Sequence, residues 1–200
     1  MLNQAIQWEQ NTQQQGYQCI AGLDEVGMGC LAGPVVAAAV ILDLNQIPSG
    51  ITDSKLLTPK KRQLLKVQIE ECALDFAIGM ASVEEIDDIN IYHAARLAMK
   101  RAVEKLTLKP DYLLVDGRAK IDLAISQRAI VQGDKHSVSI GAASILAKVF
   151  RDRLMTDFDE KYPGYEFARH KGYGSVLHRQ HLQAQGPSPI HRKSFSWTPV

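Results

Sequence analysis

Val35–Leu42 reads VVAAAVIL, with no polar residue in it. A strand that faces water on one side alternates apolar and polar residues, whereas an unbroken apolar run is covered on both faces. That strand is therefore expected to be buried on both faces, with a further layer of the chain over each. The surrounding apolar stretch, Leu31–Leu42, is 12 residues and contains Gly33 and Pro34. It is too short to span a bilayer.

The rest of the chain supplies those layers. Cys19–Val26 reads as a second strand, joined to the first by a glycine loop. Thr58-Pro59 opens a helix, with Thr58 as N-cap and Pro59 at the first helical position, running to about Cys72. Ala73–Ser82 reads as a strand and Val83–Ile89 as a short helical turn. Ile91–Leu106 has Ala94, Ala95, Ala98, Met99, Ala102 and Val103 at helical spacing. Tyr112–Val115 is a short strand, and another lies within Ile125–Gln132. A long helix is predicted from about Ser137 to Lys161, and a further helix ends near Gln185. Strands and helices interleave, so the class is α/β.

Chemistry concentrates at strand ends. Asp24 and Glu25 close the apolar run Cys19–Leu23, and Gly27-Met28-Gly29 follows at once. Two neighbouring carboxylates raise each other's pKa. A hard divalent cation relieves that repulsion, since carboxylate oxygens are its preferred ligands. The glycines allow a ligand close to the backbone. Asp116-Gly117 and Gly133-Asp134 end two more strands. Each pair alone reads as a solvated turn, but strand ends are where open α/β sheets build their sites.

Length and composition set the remaining bounds. The chain has 200 residues, 46% hydrophobic and 22% charged, which fits one soluble domain. Cys19, Cys30 and Cys72 have neither a paired framework nor metal-ligand spacing, as expected in a reducing compartment. No secretory segment is visible, and a cytoplasmic location is expected. Net charge is +1, but Lys161–Val200 carries six basic residues and one acid, Glu166. Four of the six histidines lie there too. An acidic body with a basic tail suggests metal ligands in one place and a polyanion grip in another.

With these residues in place, the chain resembles ribonuclease HII over roughly Ile20–Phe195. The family signature GxDEVGRGPLAGPV stands here as GLDEVGMGCLAGPV, Gly22–Val35. DSKxL matches Asp53–Leu57, and VDG matches Val115–Gly117. GD followed by SIxAASILAKVxRD matches Gly133-Asp134 and Ser139–Asp152. YPxYxFAxHKGYG matches Tyr162–Gly174. The resemblance implies an RNase H-like fold, a mixed β-sheet flanked by helices, with a small helical C-terminal extension. Residues 1–18 are then a short N-terminal extension. Residues 19–200 form the catalytic domain, with a substrate-binding segment from about residue 161.

The resemblance places four catalytic, metal-holding acids at Asp24, Glu25, Asp116 and Asp134. It implies cleavage of RNA in RNA–DNA hybrids, and incision 5′ of a single ribonucleotide in duplex DNA, leaving 3′-hydroxyl and 5′-phosphate ends. Two Mg²⁺ or Mn²⁺ ions about 3.5–4 Å apart suit that hydrolysis. Asp24 is the expected bridging ligand, with Asp116 and Asp134 completing one metal each. Glu25 points to the opposite face of a regular strand and needs a local turn, its carbonyl or a water to take part.

Substrate reading falls to other residues. The Gly27-Met28-Gly29 backbone is expected at the 2′-OH, which both donates and accepts. Tyr173 is expected on the sugar at the RNA-to-DNA junction. Lys55, Lys148, Lys171 and Arg192 are the phosphate candidates. The plainer roles are a turn tyrosine for Tyr173, a structural lysine for Lys148 and a tail-docking residue for Arg192.

Departures from the family pattern are Met28 for Arg, Cys30 for Pro, His136 where many relatives carry Lys, and Gly141 for Ala. In a helix, Gly in place of Ala costs about 0.5–1 kcal/mol. Rival expectations are a ribonuclease HIII-like nuclease, which carries an extra N-terminal domain, and an inactive nucleic-acid-binding module. The first motif here follows only about 20 residues, and all four acids are present. A monomer is expected, with no membrane partner and no partner-binding peptide after Phe195.

Overall fold

The computed structural model describes residues 6–197. Met1–Ala5 of the expected N-terminal extension and the last three residues of the tail lie outside them. Five strands form one sheet: β1 Ile20–Val26, β2 Val35–Leu42, β3 Ala73–Ala81, β4 Tyr112–Asp116 and β5 Ser126–Ile130. Their order is β3-β2-β1-β4-β5. β1 runs antiparallel to β2 and parallel to β4, and β4 runs parallel to β5. The sheet is therefore mixed, as expected. Every residue of β2 is buried.

The helices are α1 Gln7–Gln14, α2 Pro59–Cys72, α3 Val83–Ile89, α4 Ile91–Glu104, α5 Gly133–His136, α6 Val138–Lys161, α7 Phe167–His170 and α8 Val176–Gln185. The side chain of Thr58 accepts the Lys61 amide, so the predicted cap of α2 is present. The apolar stripe of α4, from Ala94 to Val103, packs with Ala21, Leu23, Ala37 and Ala39 on one face of the sheet. α6 covers the other face, with Ala142, Ala143, Ile145 and Leu146 against Val36, Ala38 and Val40. Small residues on both sides bring α6 very close to β1. A Cβ on Gly22 would lie 2.2 Å from the Ser139 carbonyl carbon, so only glycine admits this approach. Among the described residues, no helix is long and apolar enough to cross a membrane.

Helix α1, expected as part of an extension, is docked into the domain. Glu9 is fully buried at the start of α6. Its Oε1 accepts from Ser137 Oγ at 2.6 Å and from the Ser139 amide at 3.0 Å. Ser137 Oγ in turn accepts the Ile140 amide. Helix N-termini carry unpaired amides and partial positive charge, and a carboxylate there satisfies both. Burial still pushes the Glu9 pKa up. Glu9→Ala is expected to lower unfolding free energy by about 2–3 kcal/mol, because it removes a cap and strands buried donors. Urea unfolding measures this, and a loss below about 0.5 kcal/mol, the range of ordinary surface changes, would contradict the cap.

Candidate active site

The sheet register gathers the acids. Leu23 pairs with Val115 across the parallel β1–β4 ladder. Asp24 and Asp116, one residue further on, therefore come level at the ends of adjacent strands. Asp116 Oδ1 accepts the Gly133 amide at 2.6 Å, which ties β4 to the turn that carries Asp134. Carboxylate oxygens of Asp24, Glu25 and Asp116 lie within 4.8 Å of one another. Asp134 is outside that trio, yet close enough that its charge raises the pKa of Asp24.

Of the three routes open to Glu25, a local turn, its carbonyl or a water, none is needed to bring its carboxylate to the trio. β1 stays paired with β2 through Val26. Asp24 Oδ1 leans along the strand to accept the Glu25 amide at 2.8 Å. The two carboxylates thus meet at the strand end, although their Cβ atoms start on opposite faces.

Burial dominates the electrostatics. Desolvation pushes Asp24 well above the usual carboxylate range, helped by the charges of Glu25 and Asp116. Glu25 is pushed up to about 7, first by burial and then by Asp116. Asp116 is raised by burial. Asp134 is raised by burial, then by Asp53 and Asp116. The exposed Lys55 offsets part of this at Glu25, Asp116 and Asp134. The Ser144 hydroxyl on α6 stabilises the Asp24 carboxylate and lies 2.9 Å from Ser54 Oγ. Converging buried carboxylates of this kind suit divalent ions with oxygen ligands, so the residues present fit Mg²⁺ or Mn²⁺.

The glycine loop after β1 is held by two buried arginines. Gly27 has φ +100°, and a Cβ there would sit 2.3 Å from Arg151 Nε. Arg151 donates to the carbonyls of Pro34, Ala32 and Lys171 at 2.8–3.0 Å. Arg192 donates to the carbonyls of Gly27 at 2.7 Å, Met28 at 2.9 Å and Gly33 at 2.8–3.0 Å. Both side chains are 0% exposed. This corrects the expectation of Arg192 as a phosphate contact. Its guanidinium has no exposed atom, and it docks the tail onto the loop.

The other substrate candidates are placed variously. Gly29 is exposed, and a Cβ added there would meet nothing within 4 Å. Met28 is half-buried and packs against the α4-side core. An Arg at that position would have to leave this packing to reach solvent. Lys148 lies one helical turn beyond Ser144. It pairs with Asp152 at 2.7 Å and stands 5.6 Å over the Tyr173 ring. Tyr173 is 39% exposed and forms a β-bridge with Cys30.

Lys171 is turned to α6, where its Nζ donates to Thr156 Oγ1 at 2.8 Å and the Asp152 carbonyl at 3.1 Å. Burial lowers its pKa. It lines an open groove, apart from the four candidate metal-holding acids, with Arg62, Lys66, Arg153 and Arg169 and with Glu70 and Asp152, which pair with Lys66 and Arg62. Gly141 is better fitted than its helix propensity suggests, because a Cβ would lie 2.9 Å from Ile51 and 3.2 Å from the Asp134 carbonyl.

Sequence reasoning missed Glu9, Ser144 and Arg151 as parts of this architecture. Arg151 had a signal, since it continues the row Ala143, Ala147, Arg151, Met155 at a spacing of four on the buried face of α6.

The ribonuclease HII family model matches residues 21–198. The chain belongs to the ribonuclease HII family. Ribonuclease HII of Geobacter sulfurreducens is 53% identical over 188 residues, covering 94% of this chain and 87% of that protein. Its counterpart from Syntrophotalea carbinolica is 50% identical over 190 residues, covering 95% and 91%. The crystal structure of ribonuclease H2 from Pyrococcus horikoshii superposes with a TM-score of 0.76 at 26% identity, covering 90% of this chain and 95% of that one. A ribonuclease HIII solved in complex with Mn²⁺ shares the fold, with a TM-score of 0.64 at 20% identity over 85% of this chain and 63% of that one. The protein is a type 2 ribonuclease H, an endonuclease of the divalent-metal-dependent class that acts on RNA–DNA substrates.

Proposed function

We infer that this ribonuclease HII cleaves the RNA strand of RNA–DNA hybrids and incises 5′ of a single ribonucleotide in duplex DNA, leaving 3′-hydroxyl and 5′-phosphate ends. It acts as a cytoplasmic monomer on this reading. The convergence of Asp24, Glu25 and Asp116 within 4.8 Å, one loop away from the exposed Gly29 backbone, carries it. Asp24, Glu25, Asp116 and Asp134 would hold Mg²⁺ or Mn²⁺, with Asp24 shared. When bound, such ions neutralise phosphate charge and lower the pKa of bound water.

The chain's own groups do the rest. Lys55, whose charge acts on Glu25, Asp116 and Asp134, draws the phosphate backbone in, and Lys148, paired with Asp152 beside Tyr173, adds a second contact. The Gly27–Gly29 backbone meets the 2′-OH, the one group that separates a ribonucleotide from its neighbours. Tyr173 packs on the sugar, and Lys148 above its ring limits where the sugar can sit. The groove around Lys171 supplies a basic track for the duplex beyond the cut.

Incubation with a duplex containing one ribonucleotide, with and without Mg²⁺ or Mn²⁺, tests this reading. Metal-dependent cleavage 5′ of the ribonucleotide with a 3′-hydroxyl end is expected. A cut on the 3′ side, or cleavage in chelator, would overturn it. Tyr173→Phe should keep most of kcat/KM. Tyr173→Ala should lose about 1–3 kcal/mol of binding, the scale of one lost aromatic stacking contact. Near-wild-type activity from both would return Tyr173 to a turn residue.

A further inference from the structure

Tyr173 is presented by a tight turn. Lys171 and Gly172 both have left-handed backbone, φ +52° and +83°. The Tyr173 carbonyl then accepts two bonds, from the Ser175 amide at 2.8 Å and from His178 Nδ1 at 2.9 Å. His178 lies on α8 and is fully buried. Its Nε2 is 2.9 Å from Nε2 of His191, which is also buried.

The partners fix the proton on each ring. An amide can only donate and a carbonyl can only accept. The Ser188 amide donates to His191 Nδ1 at 2.9 Å, so neutral His191 carries its proton on Nε2. The Tyr173 carbonyl requires the proton of His178 on Nδ1, which leaves Nε2 bare. His191 Nε2–H therefore donates to His178 Nε2, and both requirements meet in one bond. His170 stacks on His178 with ring centres 4.0 Å apart. It accepts the Gly172 amide at Nδ1 and donates from Nε2 to the Tyr165 carbonyl. Burial lowers His178 and His191 to about 4 each and depresses His170 as well, so all three rings are neutral at pH 7.

We propose that His178 and His191 are positioning residues for Tyr173: His191 holds His178 in the tautomer that donates to the Tyr173 carbonyl, and so fixes the ring that meets the sugar. The proposal rests on the reading of Tyr173 as the sugar-packing residue. Histidines that merely filled space would need no particular tautomer. A directed chain from Ser188 through His191 and His178 to Tyr173 does.

Two substitutions separate the two bonds of His178. The amide nitrogen of Asn can stand where imidazole Nδ1 stands, and that of Gln where Nε2 stands. His178→Asn is expected to keep KM for the ribonucleotide duplex near wild type while lowering the melting temperature. His178→Gln should raise KM and lower kcat/KM by about 10- to 100-fold, the scale of a misplacement near 1 Å. Mn²⁺ affinity, by calorimetry, should be unchanged in both. In a Tyr173→Ala background His178→Gln should add no further loss, since residues acting through one contact are not additive. Nitrogen-15 NMR of the unsubstituted protein should find protons on His178 Nδ1 and His191 Nε2.

The opposite tautomers, equal losses from Asn and Gln, or additive losses in the cycle would each overturn the proposal. Should Tyr173→Ala alone leave activity intact, the sugar-packing reading fails by itself. The amide signals of residues 171–174 in His178→Gln then decide the positioning, which splitting supports and unchanged signals refute.

Discussion

Asp24→Asn is expected to abolish cleavage and, in chelator, to make the protein more stable. Asp24 is buried beside Glu25 and Asp116, and burial first, then those two charges, hold its pKa well above its ordinary value of 3.8. A carboxylate whose folded pKa is raised favours the fold while protonated, and that contribution disappears as pH climbs through the folded pKa. Glu25 behaves alike, moving from 4.5 to about 7. The metal-free site therefore weakens the protein progressively as pH rises from about 4 through 7.

Asn has nearly the same shape and no charge, so its advantage should grow across that window. Melting curves in chelator at several pH values test this. A gap that is flat, or shrinks with rising pH, would contradict the charge-repulsion account. Mg²⁺ or Mn²⁺ should raise the wild-type melting temperature by mass action, and the Asn protein's much less. Turnover should fall at least about 10²-fold, the scale for losing one preorganised charge-stabilising group. Near-normal turnover would remove Asp24 from the site.

Arg192→Ala should produce the largest loss of stability, about 4 kcal/mol. The guanidinium satisfies carbonyls of Gly27, Met28 and Gly33. Truncation strands those acceptors at about 1–3 kcal/mol each and opens a void where the stem packed. Burial lowers the Arg192 pKa only to about 10, so it remains charged at pH 7 and its bonds are of the stronger, charge-assisted kind. Arg192→Lys should recover only part, because one ammonium cannot span three carbonyls. Urea unfolding gives the stability. Binding measured against salt separates the roles: a true phosphate contact would lower the salt slope by about one and spare stability. The brace should do the reverse, leaving the slope alone and costing stability.

What could be read from the chain follows from how local each cause is. β2 was legible because two-sided burial writes an unbroken apolar run. The cap at Thr58 was legible because a cap depends on a few adjacent residues. Asp24, Glu25 and Asp116 were legible as polar groups near the ends of apolar strands, whereas Asp134 lies on α5, past the end of β5. The approach of Glu25 was not, since a period of two sends it away from Asp24 and only the strand-end geometry brings it back. Arg192 and Lys171 were read as phosphate candidates, with tail docking as the plainer role of Arg192. Main-chain carbonyls hold Arg192, and a carbonyl and the Thr156 hydroxyl hold Lys171, partners that leave no local mark in a sequence. Glu9 was hidden for a similar reason, because its partner is the start of a helix more than a hundred residues away.

The brace between Arg192 and the glycine loop spans up to 165 residues of chain. Contacts of such separation close late, since the intervening chain must already be ordered. During synthesis, all four acids are present in the chain once residue 134 has been made. The glycine loop after β1 lacks one of its two arginine braces until residue 192 follows. A nascent or C-terminally clipped chain would thus carry its acids before the loop beside them is fully braced, so chain order makes the final residues the last to lock that loop.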